Sequence, residues 1–170
     1  MSESEIVNRV ADSGLITIDL EEYYPKGERL LFDLKSVLFE GLILKEKDFR
    51  EFVKNHDWKK YEGKFVALHC SADAILPAWA YMLLAAQLEP FAKKIVFGDL
   101  DCLESALYSD VIAAIDANDF SGQRLIIKGC SKVKVPESAY VEIVSKLRPV
   151  AQSLFFGEAC SAVPLYKKKG

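Results

Sequence analysis

The chain has 170 residues, 51% of them hydrophobic, with a net charge of −3 and a pI near 5.5: enough apolar matter for one sizeable core, and no basic field of the kind a nucleic-acid surface needs. The one basic cluster, residues 167–169, reads as a solvated tail. The longest apolar stretch, residues 74–88, contains Pro77 and is shorter than the ~20 residues that cross a bilayer, so no membrane partner is expected.

The opening MSESEIVNRV is polar and acidic and has no charged-then-apolar leader, which fits a cytoplasmic protein. Residues 15–20, LITIDL, are rich in β-branched side chains and predict a strand. A turn follows at YYPKG, and residues 30–34 predict a second strand. Residues 37–44 are apolar but interrupted by Glu40 and Gly41, and no element is assigned there. Between residues 46 and 55, Phe49, Phe52 and Val53 share one helical face opposite Lys and Glu.

From Phe65 the pattern becomes regular. Short apolar runs at 65–68, 95–97, 125–127 and 154–156 alternate with helical segments. The first segment, 77–89, is apolar nearly all round and is expected to be central, with Trp79, Tyr81 and Met82 in the core. The second carries Leu103, Leu107, Val111, Ala114 and Ile115 on one stripe. The third carries Ala139, Tyr140, Ile143, Val144 and Leu147. Pro77 and Pro136 each sit where a helix can start, since proline lacks only an N–H that would have no intrahelical partner there.

Apolar strands alternating with helices predict a single α/β domain over residues 1–170, a three-layer sandwich with a mainly parallel sheet of about four strands. Residues 61–170 form its βα core, and residues 1–60 are an extension that adds strands and a helix. Numbering the four regular strands 1 to 4, the order 2-1-3-4 is expected, because it gathers the loops described next. The extension is rich in apolar residues for an add-on, which points to a homodimer contact.

One motif recurs. FVALHCSADAILP (65–77) and RLIIKGCSKVKVP (124–136) share an apolar run, a Cys-Ser pair and a Pro, each followed three residues later by Ala-Tyr; SLFFGEACSAVP (153–164) is a truncated third copy. In a parallel sheet every strand-to-helix loop lies on the carboxyl edge, where α/β folds bind ligands. Cys70, Cys130, Cys160 and Asp99 are therefore expected on one rim. Three thiols suit zinc or iron, with Asp99 or His69 as fourth ligand, or an iron–sulfur cluster. Ser71, Ser131 and Ser161 are expected to cap loop amides, with Asp101 nearby. The four cysteines contain no CxxC, so no zinc-finger or thioredoxin motif is present. Neither a glycine-rich phosphate loop nor a GxSxG elbow occurs.

Two other readings stand beside the metal one. Cys70 or Cys130 at a helix amino terminus would be an activated nucleophile of a thiol-dependent enzyme, although no arginine closes either loop as a thiol phosphatase requires. Alternatively, the cysteines are small buried hydrophobes of a non-catalytic interaction protein.

GLILKEKDFREFVKNHDW (41–58), CSADAILPAWAYMLLA (70–85), FGDL (97–100), IKGCSKVKVPESAYVE (127–142) and GEACSAVP (157–164) together resemble a bacterial family known as domain of unknown function 2480. The resemblance covers most of the chain and implies no established activity. It implies that the three Cys-Ser motifs belong to the family pattern and Cys102 does not. It also implies a place beside sulfur-mobilisation genes, and so iron–sulfur assembly proteins as partners.

Overall fold

The structure, a computed structural model, describes residues 14–129 and 132–169. In chain order its main elements are strand β1 (Leu15–Asp19), strand β2 (Arg29–Asp33), helix α1 (Glu46–Asn55), strand β3 (Phe65–His69), helix α2 (Ala78–Leu88), strand β4 (Lys94–Phe97), helix α3 (Leu100–Ala114), strand β5 (Arg124–Lys128), helix α4 (Glu137–Leu147), strand β6 (Ser153–Phe156) and strand β7 (Val163–Lys167). They belong to two compact units. A central unit spans Lys26–Leu107, and a flanking unit takes the described residues up to Pro25 and from Tyr108 onward, so that the boundary falls inside α3. Each unit has its own sheet, mainly or wholly parallel. The chain is therefore α/β, with four α-helices and two such sheets among the described residues. Among the described residues no helix is long and apolar enough to cross a membrane.

In the central unit the sheet runs β2-β3-β4, all parallel. Every residue of FVAL is buried because the alternate side chains of β3 meet different partners. Val66 and Leu68 pack with Phe49 and Val53 of α1 and with Leu84 and Leu88 of α2. Phe65 and Ala67 pack with Leu103 and Leu107 of α3. Right-handed crossovers between strands laid down in steady order carry both helices over the same face. Arg29 at the start of β2 pairs with Glu104 of α3 at 2.6 Å. Helix α1 has Glu46 and Asp48 in its first turn and Lys54 in its last, charges that complement its dipole.

The flanking unit runs β1-β5-β6 in parallel and adds β7 antiparallel to β6. Its core joins Ile18, Leu20, Tyr108, Ile112, Leu125, Ile127, Ile143, Leu147 and Leu154.

The two units repeat one plan at a constant shift of 59 residues, as Gly63 to Gly122, Pro77 to Pro136 and Gly98 to Gly157 show. The buried residues follow the same shift: Phe49 and Tyr108, Val53 and Ile112, Val66 and Leu125, Leu84 and Ile143, Leu88 and Leu147. Both β3 and β5 are preceded by a short 3-10 turn, and Asp57 and Asp116 each accept from the amide two residues on. The N–H of Gly63 reaches the carbonyl of Phe91, and that of Gly122 the carbonyl of Val150. The first strand of each unit breaks the shift, and β7 has no counterpart in the central unit. In sequence the whole central unit lies between β1 and the rest of the flanking unit.

Three expectations are corrected. Strands β4 and β3 are neighbours, as are β5 and β6, but β3 and β5 do not pair; each takes an N-terminal strand instead, β2 and β1. The order 2-1-3-4 therefore does not occur. Helix α2 is not central: only Ala80, Leu84 and Leu88 are buried, one stripe at helical spacing, while Trp79 and Tyr81 are half-buried and Met82 is 70% exposed. A helix laid on one face of a sheet can bury no more than one such stripe. On α3 the buried line is Leu103, Leu107, Tyr108 and Ile112 rather than Val111 and Ala114.

Candidate functional site

Each rim of parallel strand ends is built in the same way, and the carboxyl rim of the central sheet holds the densest chemistry. Strand β2 ends at Asp33 and β3 at His69, and the two residues are register partners. Because β3 stops at His69, Cys70 and Ser71 are released into the loop. Asp99 follows β4 after Gly98, whose φ of 126° bends the chain into α3.

Hydrogen bonds fix the two carboxylates. Asp33 Oδ1 accepts from the amides of Lys35 and Ser71, and Oδ2 accepts from Ser71 Oγ at 2.5 Å. Desolvation works to raise its pKa, but the bonds from Ser71 and Lys35, with the charge of His69, outweigh it and hold the carboxyl below its ordinary value. Asp99 Oδ1 accepts from the amide of Cys102. That bond, followed by one from the Cys102 side chain, with the charge of His69 adding to them, lowers Asp99 as well. His69 thus acts on a carboxylate at the end of each neighbouring strand.

Cys70 is half-buried, leans on the core of the central unit, and lies 3.8 Å from the carbonyl of Ala72. Helix α2 starts at Ala78, behind Pro77. Tyr81 is raised by burial first, and further by Cys70 and Asp33. Its ring packs edge-on against Phe97 at 5.0 Å.

The flanking unit shows the same rim with different residues. Under the 59-residue shift Lys128 stands for His69 and Glu158 for Asp99, and Asp19 ends β1 in register with Lys128 as Asp33 does with His69. The Lys128 ammonium lies 3.3 Å from Asp19 Oδ2 and 3.8 Å from Glu158 Oε1. Its pKa is raised first by the hydrogen bond to Asp19 and then by Glu158. Tyr140 and Phe156 repeat the edge-on pair at 5.6 Å.

His69 ends a strand of the central sheet and Cys70, Ser71, Asp99 and Asp101 follow its strands, whereas Cys160 and Ser161 follow β6 of the other sheet and Cys160 is exposed. Cys130 and Ser131 lie outside the described residues. Cys70 and Cys160 therefore follow strands of different sheets. Neither run of parallel strands reverses its order, so the crevice that a reversal opens in doubly wound sheets does not arise. Ser71 gives both its amide and its hydroxyl to the Asp33 carboxylate, and the Ser161 amide donates to the Glu158 carbonyl. Among the described residues no group of three His, Cys, Asp or Glu side chains stands ready-made to hold a metal ion.

The Cys-Ser echo is also displaced. At the constant shift Cys70 falls on Gly129 and Ser71 on Cys130. A Cβ at Gly129 would stand 2.8 Å from Tyr140 Oη, so the position taken by Cys70 in one unit is left bare for a tyrosine in the other. Sequence patterning alone does not single out Asp33. Its signal was present in the Asp-Leu pair that ends both LITIDL and LLFDL.

A cavity of about 580 Å³ lies in the flanking unit between α4 and the sheet. Its walls include Ile127, Tyr140, Val144, Phe156 and Leu165, and it holds none of the expected site residues.

The family model described as "Protein of unknown function (DUF2480)" matches residues 4–168. No curated protein and no solved structure matches the chain. The chain belongs to the DUF2480 family.

Proposed function

We propose that this DUF2480 protein binds a transition-metal ion, zinc or iron, at the carboxyl rim of its central sheet, through His69, Asp99 and Cys70, with Asp33 as a further carboxylate. One observation carries the reading. The flanking unit fills the place between its two rim carboxylates with the ammonium of Lys128, and the central unit puts an imidazole there. Two carboxylates with an imidazole in place of a fixed cation, and a thiol on the next residue, form a mixed N, O and S donor set that suits zinc or ferrous iron. Capture requires side chains to turn at the rim: Asp99 must release Cys102, and Cys70 must swing away from the Ala72 carbonyl.

Elemental analysis of the purified protein tests the proposal. Near-stoichiometric zinc or iron is expected, lost in His69→Ala and in Cys70→Ser and retained in Cys160→Ser. Cobalt substitution should give thiolate charge-transfer absorption that Cys70→Ser abolishes. Metal-free protein that takes up neither zinc nor cobalt would sink the reading. Iron recovered together with acid-labile sulfide, and lost when Cys130 and Cys160 are replaced, would instead favour the wider three-cysteine site and an accessory role in iron–sulfur assembly.

A second reading, an interaction protein whose cysteines are packing residues, is favoured by the contact of Cys70 with the core and by the exposure of Met82 and Phe97.

A further inference from the structure

Gly98 follows β4 with no side chain, and the space a Cβ would take there is filled by Cys102: such a Cβ would stand 2.7 Å from the Cys102 Cβ and Sγ. The Cys102 thiol therefore lies against the end of β4, one step past the register pair of Leu68 with Phe97, and so beside the end of β3, where His69 stands. The N–H of Gly98 donates to the Leu68 carbonyl, which holds these strand ends together. Sides alternate along β3. Phe65 and Ala67 meet Leu103 and Leu107 of α3, and the two-residue period carries His69 to that side. Cys70 goes with Val66 and Leu68 to the other, against the core under α1 and α2. His69 is thus flanked by two thiols, Cys70 from its own loop and the exposed Cys102 from the first turn of α3. Asp99 belongs to the Cys102 side, since it accepts from the Cys102 amide and thiol. The internal repeat supplies an independent comparison. At the shift of 59 residues His69 answers to Lys128, Cys70 to Gly129 and Cys102 to Ser161. In the unit whose rim is closed by an ammonium, each of these three nitrogen and sulfur donors is replaced by a poorer metal ligand or by none.

We propose that Cys102 is a second thiolate ligand at the rim of the central sheet, completing a set of His69, Cys70, Cys102 and Asp99, and that the pair of thiolates sets a preference for zinc over ferrous iron. The inference rests on the metal reading above. Two soft sulfur donors with one imidazole and one carboxylate make a four-ligand set of the kind zinc takes. One rearrangement serves two ligands. As the Cys102 sulfur takes the metal, the thiol proton now directed at Asp99 is released to solvent, and the same step frees the Asp99 carboxylate to bind.

Alkylation of the unmodified chain by iodoacetamide, read cysteine by cysteine with peptide mass spectrometry, tests it. With free zinc about tenfold above its Kd, labelling of Cys70 and Cys102 should slow about tenfold, and labelling of the exposed Cys160 should not change. Cys102→Ser, checked by circular dichroism for an unchanged fold, should halve the thiolate charge-transfer absorption at saturating cobalt. The same variant should bind zinc at least about tenfold more weakly and show a narrower preference for zinc over ferrous iron in competition. Zinc that protects Cys70 while Cys102 labels at its metal-free rate would overturn the second thiolate and leave the metal reading standing. So would a Cys102→Ser variant that keeps the full cobalt absorption. A chain that takes up neither zinc nor cobalt would overturn both.

Discussion

At the scale of single residues, the rim of the central unit is a set of side chains whose protonation is decided by neighbours. Asp33 is held low by Ser71, so Ser71→Ala should move the Asp33 titration, followed by NMR, upward toward 3.8. It should also cost about 1 kcal/mol, the net value of one hydrogen bond at a solvent-touched site. Because the folded pKa of Asp33 is depressed, its contribution is present above 3.8 and is lost as pH falls through the lower folded value. The Ser71→Ala variant should accordingly show a shallower loss of stability on the acid limb. His56 presents the same sign through a different cause. It sits among Phe32, Phe52, Trp58 and Tyr61, 3.1 Å from the Tyr61 hydroxyl. Burial, followed by Lys60, lowers it below 6.5, while burial and then Asp57 push Tyr61 up to about 12. Below 6.5 the unfolded chain takes a proton that the folded one resists, so stability falls as pH falls. Urea midpoints measured above and below 6.5 should diverge in the natural chain and converge in His56→Phe.

At the scale of elements, the glycines that end β4 and β6 give a paired test. Gly98 and Gly157 both have positive φ, 126° and 107°, where an L side chain is strained. A Cβ on Gly98 would also meet Cys102 Cβ and Sγ at 2.7 Å, whereas one on Gly157 finds only the Ser161 carbonyl at 3.6 Å. Gly98→Ala should therefore destabilise by more than Gly157→Ala, within a range of about 1–3 kcal/mol, as read by chemical denaturation. The same comparison shows where a period-based reading stops. The alternation of apolar runs with helices was legible from Phe65 onward. The burial of α2 was not, because AWAYMLLAAQL is apolar on every side and its periodicity does not say which stripe faces the sheet.

At the scale of the whole molecule, two cores built to one plan should respond separately. Leu84→Ala and Ile143→Ala remove equivalent side chains, one from each cluster. Each should cost about 2–5 kcal/mol. Since the clusters share no residue, the double variant should equal the sum to within about 0.5 kcal/mol; a large deviation in a denaturation cycle would show that the cores are coupled. Duplication also accounts for the candidate site. The same three rim positions carry Asp, Lys and Glu in one unit and Asp, His and Asp in the other, so one unit closes its rim with its own cation and the other leaves an imidazole among carboxylates.

By itself the sequence determined the α/β class, strands β1 to β6, the extent of α1, the proline at the start of α2 and of α4, and the family. All of these depend on residues close together in the chain, where apolar period, turn chemistry and motif wording are local properties. Only the tertiary structure decided that the strands divide between two sheets and that Asp33 faces Ser71. It also decided that Cys70 answers to Gly129 rather than to Cys130. Strand partners are chosen by the packing of cores assembled from distant segments, and a local pattern that fits either sheet equally well carries no information about that choice.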